Sequence, residues 1–426
     1  MSFSFIHAAD LHLDSPFSCL SSTLPDELKE ALVKGPYIAL ERMRGLALEK
    51  GASFCILAGD IFDSGDHSLS AQTRFLRETE TLWKNGITTF IALGNHDPLD
   101  TSRLANKISK GITIFGRELE CHMVKARDGT QCAISGVSYK QREEKRPLAR
   151  LFHELDLETK YFSIGVLHTN CGGVGGHGNY APSTLADLTH APVDYWALGH
   201  IHRRLILKPA SPAIAYPGVT QGRNFRETGA KGCYLVAVDG GSITIQTIDL
   251  STVRWLDIEI GLEREAKLDD LQVRISEELS KKVVPSGEND PPGLRHYYVV
   301  RLHLVGATSI KRELIKEEVI LDLKEALNEA LFHDHGVWVD DIVDDTKKAF
   351  NISELPPEGL PAEIFGASNQ ILSSKKARKR LMSELSPLLK KRDITKNAGD
   401  LLRENGLESI VNEARDLLFD LLEDDE

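Results

Sequence analysis

At 426 residues with 41% hydrophobic side chains, the chain is long enough for two or three packed domains. Its 63 acidic against 51 basic residues leave a net charge of −12, which excludes a uniformly basic surface and confines any nucleic-acid contact to local patches. No apolar run is long enough to span a membrane, no signal peptide is visible, and the six cysteines (Cys19, Cys55, Cys121, Cys132, Cys171, Cys233) lack the spacing of a disulfide framework or zinc ribbon, so a cytoplasmic protein is expected.

In chain order, an apolar run at 3–9 ends at Asp10 and His12. A helix is expected over 36–49, and a run at 54–59 then ends at Asp60. After a second helix over 69–83, the run 87–94 ends at Asn95 and His96. Runs at 162–167 and 195–199 end at His168 and at His200 with His202. Each reads as a buried strand followed by a loop that carries polar residues. Asp128-Gly129 and Asp239-Gly240 signal hairpins. The alternation of apolar runs and helical stretches over 1–250 reads as an α/β fold and suits two packed sheets flanked by helices.

A hinge at 251–254 would lead into a small α+β domain over 251–350. Its elements are a strand with Leu256, Ile258 and Ile260 on one face, a helix with Leu268, Leu271, Ile275 and Leu279, and a Pro-rich loop over 285–293. A strand with Tyr298, Val300, Leu302 and Leu304, a helix over 311–331 and a strand near 337–339 complete it. Pro356, Pro357, Gly359 and Pro361 mark a linker into the region 351–426. There Leu381, Leu385, Leu388 and Leu389, a turn at 397–399, and Ile410, Val411, Ala414, Leu417, Leu418, Leu421 and Leu422 read as a leucine-rich helical pair. The pair either folds back on the chain or docks a partner.

Hydrolysis of a phosphodiester needs a nucleophile made from water at neutral pH and positive charge on the non-bridging oxygens. Two divalent ions about 4 Å apart supply both. Asp10, His12, Asp60, Asn95, His168, His200 and His202 are a donor set for such a pair, and Asp60 is the candidate to bridge it. Mixed imidazole and carboxylate donors suit manganese, iron or zinc better than magnesium. Any one of these short motifs is more often a turn or a cap than a metal site, but five in order are not. His7, inside the first run, reads as a core residue, and His67 and His177 as loop residues or substrate contacts.

Asp10-Leu11-His12, Gly59-Asp60-Ile61-Phe62-Asp63, Gly94-Asn95-His96-Asp97, His168 and Gly199-His200-Ile201-His202 resemble the motifs of the calcineurin-like metallophosphoesterases. The wording around Asp10 and Asp60, with 216–223, is similar to the DNA double-strand-break nuclease branch, the SbcD-like and YhaO-like exonucleases. The resemblance covers roughly the first 250 residues. It implies a sandwich fold and one ion on Asp10, His12 and His202. The other ion would sit on Asn95, His168 and His200, with Asp60 between the two. It makes His96 the catalytic residue that assists the leaving oxygen, and Asp63 and Asp97 its supporting carboxylates. It further implies two divalent ions, manganese first, a capping role for 251–350, and an SMC-like coiled-coil ATPase of the SbcC type docked on the C-terminal helices.

Arg203, Arg204, Arg223 and Arg226 follow the last histidines and could reach phosphate from the rim. Lys140, Arg142, Lys145, Arg146 and Arg150 are a second basic group, equally readable as solvated surface. The sequence therefore reads as a metal-dependent DNA exonuclease of DNA repair using a two-metal mechanism, with a single-strand endonuclease activity beside it. The alternative is a phosphodiesterase or phosphatase of the same superfamily acting on nucleotides or phosphoproteins. A non-catalytic subunit is a third reading that the complete donor set disfavours. A homodimer is left open.

Overall fold

The computed structural model describes residues 2–16, 24–64, 68–104, 110–158, 160–175, 178–263, 266–283, 295–349 and 359–389, with 407, 408, 410–412, 414, 415 and 418 beyond them. The first strands are β1 (Ser2–Ala8), β2 (Phe54–Ala58), β3 (Thr88–Ala92) and β4 (Ile112–Ile114). They are followed by β5 (Glu120–Lys125), β6 (Gln131–Gly136), β7 (Phe162–His168) and β8 (Tyr195–Gly199). Then come β9 (Leu205–Lys208), β10 (Ala213–Tyr216), β11 (Gly232–Asp239) and β12 (Ser242–Asp249). One six-stranded sheet has the order β12-β11-β1-β2-β3-β4, the other β5-β6-β7-β8-β10-β9. The pairs β1–β2–β3–β4 and β6–β7–β8–β10 are parallel, so the carboxyl ends of β1, β2, β3, β7 and β8 can carry one set of loops.

Strand parity builds the layers. Phe3 and Phe5 of β1, Phe54 and Ile56 of β2, and Ile164 and Val166 of β7 share one buried core with Tyr195 and Ala197 of β8. Their sequence neighbours Ile6, Ala8, Cys55 and Leu57 pack instead with Leu40 and Met43 of helix α1 (Asp26–Glu49) and Phe75 of helix α2 (Leu69–Lys84). Leu167, Trp196 and Leu198 form a third core with Tyr139 and Phe152. Both faces of the central strands are covered, which is why they read as continuous apolar runs rather than as alternation. The two-sheet α/β sandwich expected from the sequence is the fold found.

Helix α1 begins ten residues before the expected start at Pro36. Proline usually marks a first helical turn. Here Leu28 and Leu32 are buried on the same helix as Leu40 and Met43, and that packing carries the helix through Pro36. The segment 251–254 is no free hinge: Ser251 and Thr252 are buried, and Gln221 Oε1 accepts from Thr252 N at 2.9 Å. The turns at Asp128-Gly129 and Asp239-Gly240 join β5 to β6 and β11 to β12. Cys55, Cys121, Cys132, Cys171 and Cys233 are free thiols.

Two compact units divide the chain: Met1–Asp257, Val284–Val300 and His335–Trp338 in one, Ile258–Val283, Arg301–Asp334 and Val339–Glu426 in the other. Strands β13 (Val253–Gly261), β14 (Tyr297–Thr308) and β15 (Val337–Lys348) form a third sheet. Helix α3 (Leu185–Thr189) belongs to the first unit, and α4 (Leu268–Lys282) to the second, where it buries Leu271, Ile275 and Leu279. The helix expected over 311–331 is two, α5 (Lys311–Leu314) and α6 (Glu317–His335). Leu314 and Leu323 are both buried, yet nine positions are two and a half helical turns, so an unbroken helix would turn one of them outward. After α6 come α7 (Leu360–Ser373) and α8 (Lys375–Leu389). Leu407 and Val411 are buried, and the Arg415 guanidinium lies 6.0 Å from the Phe365 ring of α7. The loop 285–293, the turn 397–399 and Leu417, Leu421 and Leu422 lie outside the described residues. Among those described, no helix is long and apolar enough to cross a membrane.

Two glycines test the packing with opposite signs. A Cβ on Gly165 would lie 2.6 Å from Trp196 Cε3, a ring fixed by its Nε1–H to the Leu188 carbonyl at 2.8 Å. Gly165→Ala should destabilise the fold by about 1–3 kcal/mol. A Cβ on Gly45, within α1, meets nothing within 4 Å. Gly45→Ala should therefore stabilise by up to about 1 kcal/mol. Urea unfolding of both variants checks the pair of signs.

Candidate metal centre

The five loops are fastened before any ion is considered. Asp10, His12, Asp60 and His200 have φ values of 51°, 44°, 48° and 98°, a left-handed conformation that costs a non-glycine residue energy. Asp10 N bonds Gly59 O at 3.1 Å, His12 N bonds Asp60 O at 3.0 Å and Leu13 N bonds Ile61 O at 2.9 Å, which zips the first loop to the second. The third loop joins through Asp97: its carboxylate accepts from Ile61 N at 2.8 Å, Phe62 N at 3.2 Å and Gly94 N at 3.1 Å. His96 N donates to Asp60 Oδ1 at 2.9 Å, and His200 N reaches both Asp10 oxygens at 3.1 Å. Gly94 must lack a side chain, because a Cβ there would collide with Asp60 Oδ1 and lie 2.9 Å from His168 Nε2.

This brings all seven expected ligands together, each buried except His202, which is partly exposed. His12 Nε2 faces His202 Nε2 at 3.3 Å, and His168 Nε2 lies 3.4 Å from Asp60 Oδ2. His200 Nδ1 and His168 Nε2 are each near Asn95 Oδ1, at 3.2 and 3.1 Å. Three groups have donor atoms close enough to share an ion: Asp10, His12 and His202; His12, Asp60 and His96; and Asp10, Asp60 and His168. Two imidazoles bound to one ion at about 2.1 Å and a tetrahedral angle have nitrogens about 3.4 Å apart. The separation of His12 from His202 fits that spacing, and the mixed donors fit a borderline divalent ion.

The outer nitrogens of the histidines are spoken for. His12 Nδ1 lies 3.0 Å from Asp63 Oδ1, His202 Nδ1 2.7 Å from Glu227 Oε1, His168 Nδ1 3.0 Å from Ala58 O and His200 Nε2 2.7 Å from Gly178 O. His96 Nδ1 donates to the Asp63 carbonyl at 2.7 Å. Asp97, expected to support His96, holds backbone amides instead. Glu227 escaped the sequence reading, its only signal being an acidic residue four positions after Arg223.

Charges follow these contacts. Burial alone would raise Asp63, but the His12 hydrogen bond with the His12 and Arg223 charges holds it near 2. Glu227 is likewise held well below the carboxylate range, with burial outweighed by His202 and Arg223. Burial, reinforced by Asp60, pushes Asp97 up to about 7. For His168, burial is outweighed by Asp60, which raises the imidazole to about 9. His7 is an ordinary core residue, 2.8 Å from Tyr195 Oη and lowered to about 3 by burial.

The four expected phosphate-contact arginines divide. Arg203 and Arg226 are exposed. Arg204 gives Nη2–H to the Ile248 carbonyl at 3.0 Å, and Arg223 is half-buried between Asp63 and Glu227. Those two are turned into the protein rather than toward its rim. His67 and His177 lie outside the described residues.

A profile of the family described as calcineurin-like phosphoesterase matches residues 3–204, and one described as the middle domain of metallophosphoesterase YhaO matches 255–347. The chain is 33% identical to the uncharacterized metallophosphoesterase YhaO of Bacillus subtilis, over 83% of its own length and 84% of that protein. It is 24% identical to the DNA double-strand break repair protein Mre11 of Methanocaldococcus jannaschii, over 62% and 69% of the two chains. It is 23% identical to the SbcD component of the nuclease SbcCD of Bacillus subtilis, over 60% and 78%.

An ion bound at His168 must displace the proton that Asp60 holds there. Below the raised value of about 9 the imidazole is protonated, so apparent affinity for a divalent ion should fall as pH falls. One displaced proton corresponds to about tenfold per pH unit. Calorimetric titration of manganese at pH 7 and pH 8 reads the slope, and equal affinities would show His168 already unprotonated.

Proposed function

Because the chain belongs to the YhaO-like calcineurin-like metallophosphoesterases, metal-dependent hydrolases of phosphoester bonds, we propose that its substrate is DNA. In this reading it is a manganese-dependent cytosolic exonuclease of DNA repair, with a single-strand endonuclease activity beside it. The observation that carries the substrate is the likeness, over at least 60% of the chain, to proteins named for double-strand break repair and for part of a nuclease.

Ions on Asp10, His12 and His202 and on Asn95, His168 and His200, with Asp60 between them, would lower the pKa of a water and draw charge from the phosphoryl oxygens. The chain's own residues do the rest. His96 gives Nδ1–H to the Asp63 carbonyl, which fixes the ring; in its doubly protonated imidazolium form the second proton, on Nε2, is the one passed to the departing sugar oxygen, leaving the ring neutral. Asp97 keeps the loops of Asp60 and Asn95 in register through three backbone amides. An SMC-like coiled-coil ATPase is the proposed partner of the C-terminal helices, a reading supported by the exposure of Leu360 (54%) and Leu418 (46%).

The decisive assay incubates the protein with labelled duplex DNA, single-stranded DNA and a chromogenic phosphodiester, with manganese and with chelator. Chelator-sensitive degradation of duplex ends supports the reading; turnover of the small diester with intact DNA sinks it. Asp60→Asn should lose manganese and cleavage together, and full activity with two ions bound would remove its bridging role. His96→Leu should keep both ions and lose about 10²–10⁴-fold in kcat. Should manganese content drop instead, His96 is a ligand, as its grouping with His12 and Asp60 allows. A chain ending at residue 360 should still hydrolyse the chromogenic diester but no longer co-purify with a coiled-coil ATPase. Retained association, or loss of the fold, would count against docking on those helices.

A further inference from the structure

The side chains behind the Asp10, His12 and His202 group close a ring. From His12 Nδ1 it runs 3.0 Å to Asp63 Oδ1, and the same oxygen accepts from Arg223 Nη1 at 2.8 Å. Arg223 Nη2 donates to Glu227 Oε1 at 3.1 Å, and that oxygen takes His202 Nδ1 at 2.7 Å. The ring ends where His202 Nε2 meets His12 Nε2 at 3.3 Å. Each imidazole gives its Nδ1–H to a carboxylate and so directs the lone pair of Nε2 inward.

Arg223 is what allows two carboxylates to stand behind one pair of histidines. Its side chain is 14% exposed, Glu227's is 4%, and the Arg223 amide also holds Glu227 Oε2 at 2.8 Å. Without the guanidinium, the buried charge of Glu227 would be left with the His202 contact and the Arg223 amide, and the ring would lose its brace. The outer nitrogens of His168 and His200 rest instead on the carbonyls of Ala58, at 3.0 Å, and Gly178, at 2.7 Å.

We propose that Arg223 and Glu227 are positioning residues for one ion only, the one held by Asp10, His12 and His202, and that Arg223 serves the centre rather than substrate phosphate. The proposal rests on the reading of the site as a two-ion centre. It distinguishes two halves of one site: one braced by side chains that substitution can remove, the other by backbone that it cannot.

The test uses the full chain and manganous ion alone, by calorimetric titration and by metal content after equilibration at buffered free manganese. Two equivalents on the wild-type protein is the premise, and fewer would overturn the two-ion reading rather than this one. Glu227→Gln and Arg223→Gln should each weaken one equivalent about 10–100-fold and leave the other at wild-type affinity. Arg223→Lys, which keeps the charge without the fork, should weaken the same equivalent by less, and it decides the matter if the Gln variants do not fold. Saturating manganese should restore hydrolysis of the chromogenic diester. Equal weakening of both ions, unchanged affinity for both, or weaker DNA binding by Arg223→Gln with manganese affinity intact would each overturn the assignment.

Discussion

Asp10 and Asp60 are about 1% exposed, and two carboxylates that deep must be compensated or stay protonated. Much of this end of the sandwich answers that requirement. Asp10 takes the His200 amide on both oxygens, and Asp60 takes the His96 amide and lies beside the His168 ring. Asp10, Asp60 and His200, which make these contacts, themselves adopt left-handed backbone. The strain persists because the loops are bonded to one another, through the ladder from Asp10 to Leu13 and through Asp97. Carboxylate burial, loop geometry and the convergence of the histidines are one constraint seen from three sides.

The same constraint explains why parallel strands matter. In an antiparallel sheet, adjacent strands deliver their carboxyl ends to opposite edges. Here β1, β2 and β3 in one sheet and β7 and β8 in the other all end at the site. His168 shares its parity with Ile164 and Val166, so it enters the layer between the sheets and reaches the Ala58 carbonyl of β2 at 3.0 Å. Packing between the sheets and orientation of a ligand are set by the same alternation. That is why Gly165, three residues before His168 and pressed on Trp196, has consequences beyond its own strand.

What was legible in the sequence is what is local. The strand runs, the polar residue that ends each, and the turn glycines follow from composition and period, so the donors could be read directly, and the motifs they form carried the resemblance that implied the sandwich. What was not legible depends on distant partners. Pro36 looked like a helix start because nothing nearby reveals that Leu28 and Leu32 have a core to enter. The break between Leu314 and Leu323 follows from which residues are buried, which a stripe of apolar letters does not disclose. Arg223 looked like a phosphate contact because its carboxylate partner Asp63 is 160 positions away. Glu227 and Gly178 could be assigned only once His202 and His200 had been placed.

The fate of the basic residues also bears on how an acidic chain, at −12 overall, would hold a polyanion. Arg204 and Arg223 are committed internally. In the second basic group, Arg146 is bidentate on Glu144 at 2.9 and 2.8 Å, Arg150 pairs with Asp187 at 2.9 Å and Lys145 with Glu143 at 3.5 Å. A cation already paired with its own carboxylate presents little net field to a phosphate backbone. The segment that carries them is nonetheless tied to the site: Leu99 N and Asp100 N bond the carbonyls of Tyr139 and Lys140, and Ala181 N bonds that of Glu144. On a DNA reading, this surface supplies register more than affinity. Capture would then fall to ions bound at the centre, to exposed Arg203, Arg226, Lys140 and Arg142, and to a partner of the C-terminal helices if one docks there. An enzyme built this way would hold DNA weakly by itself, and weak holding leaves the choice of substrate to the protein that delivers it.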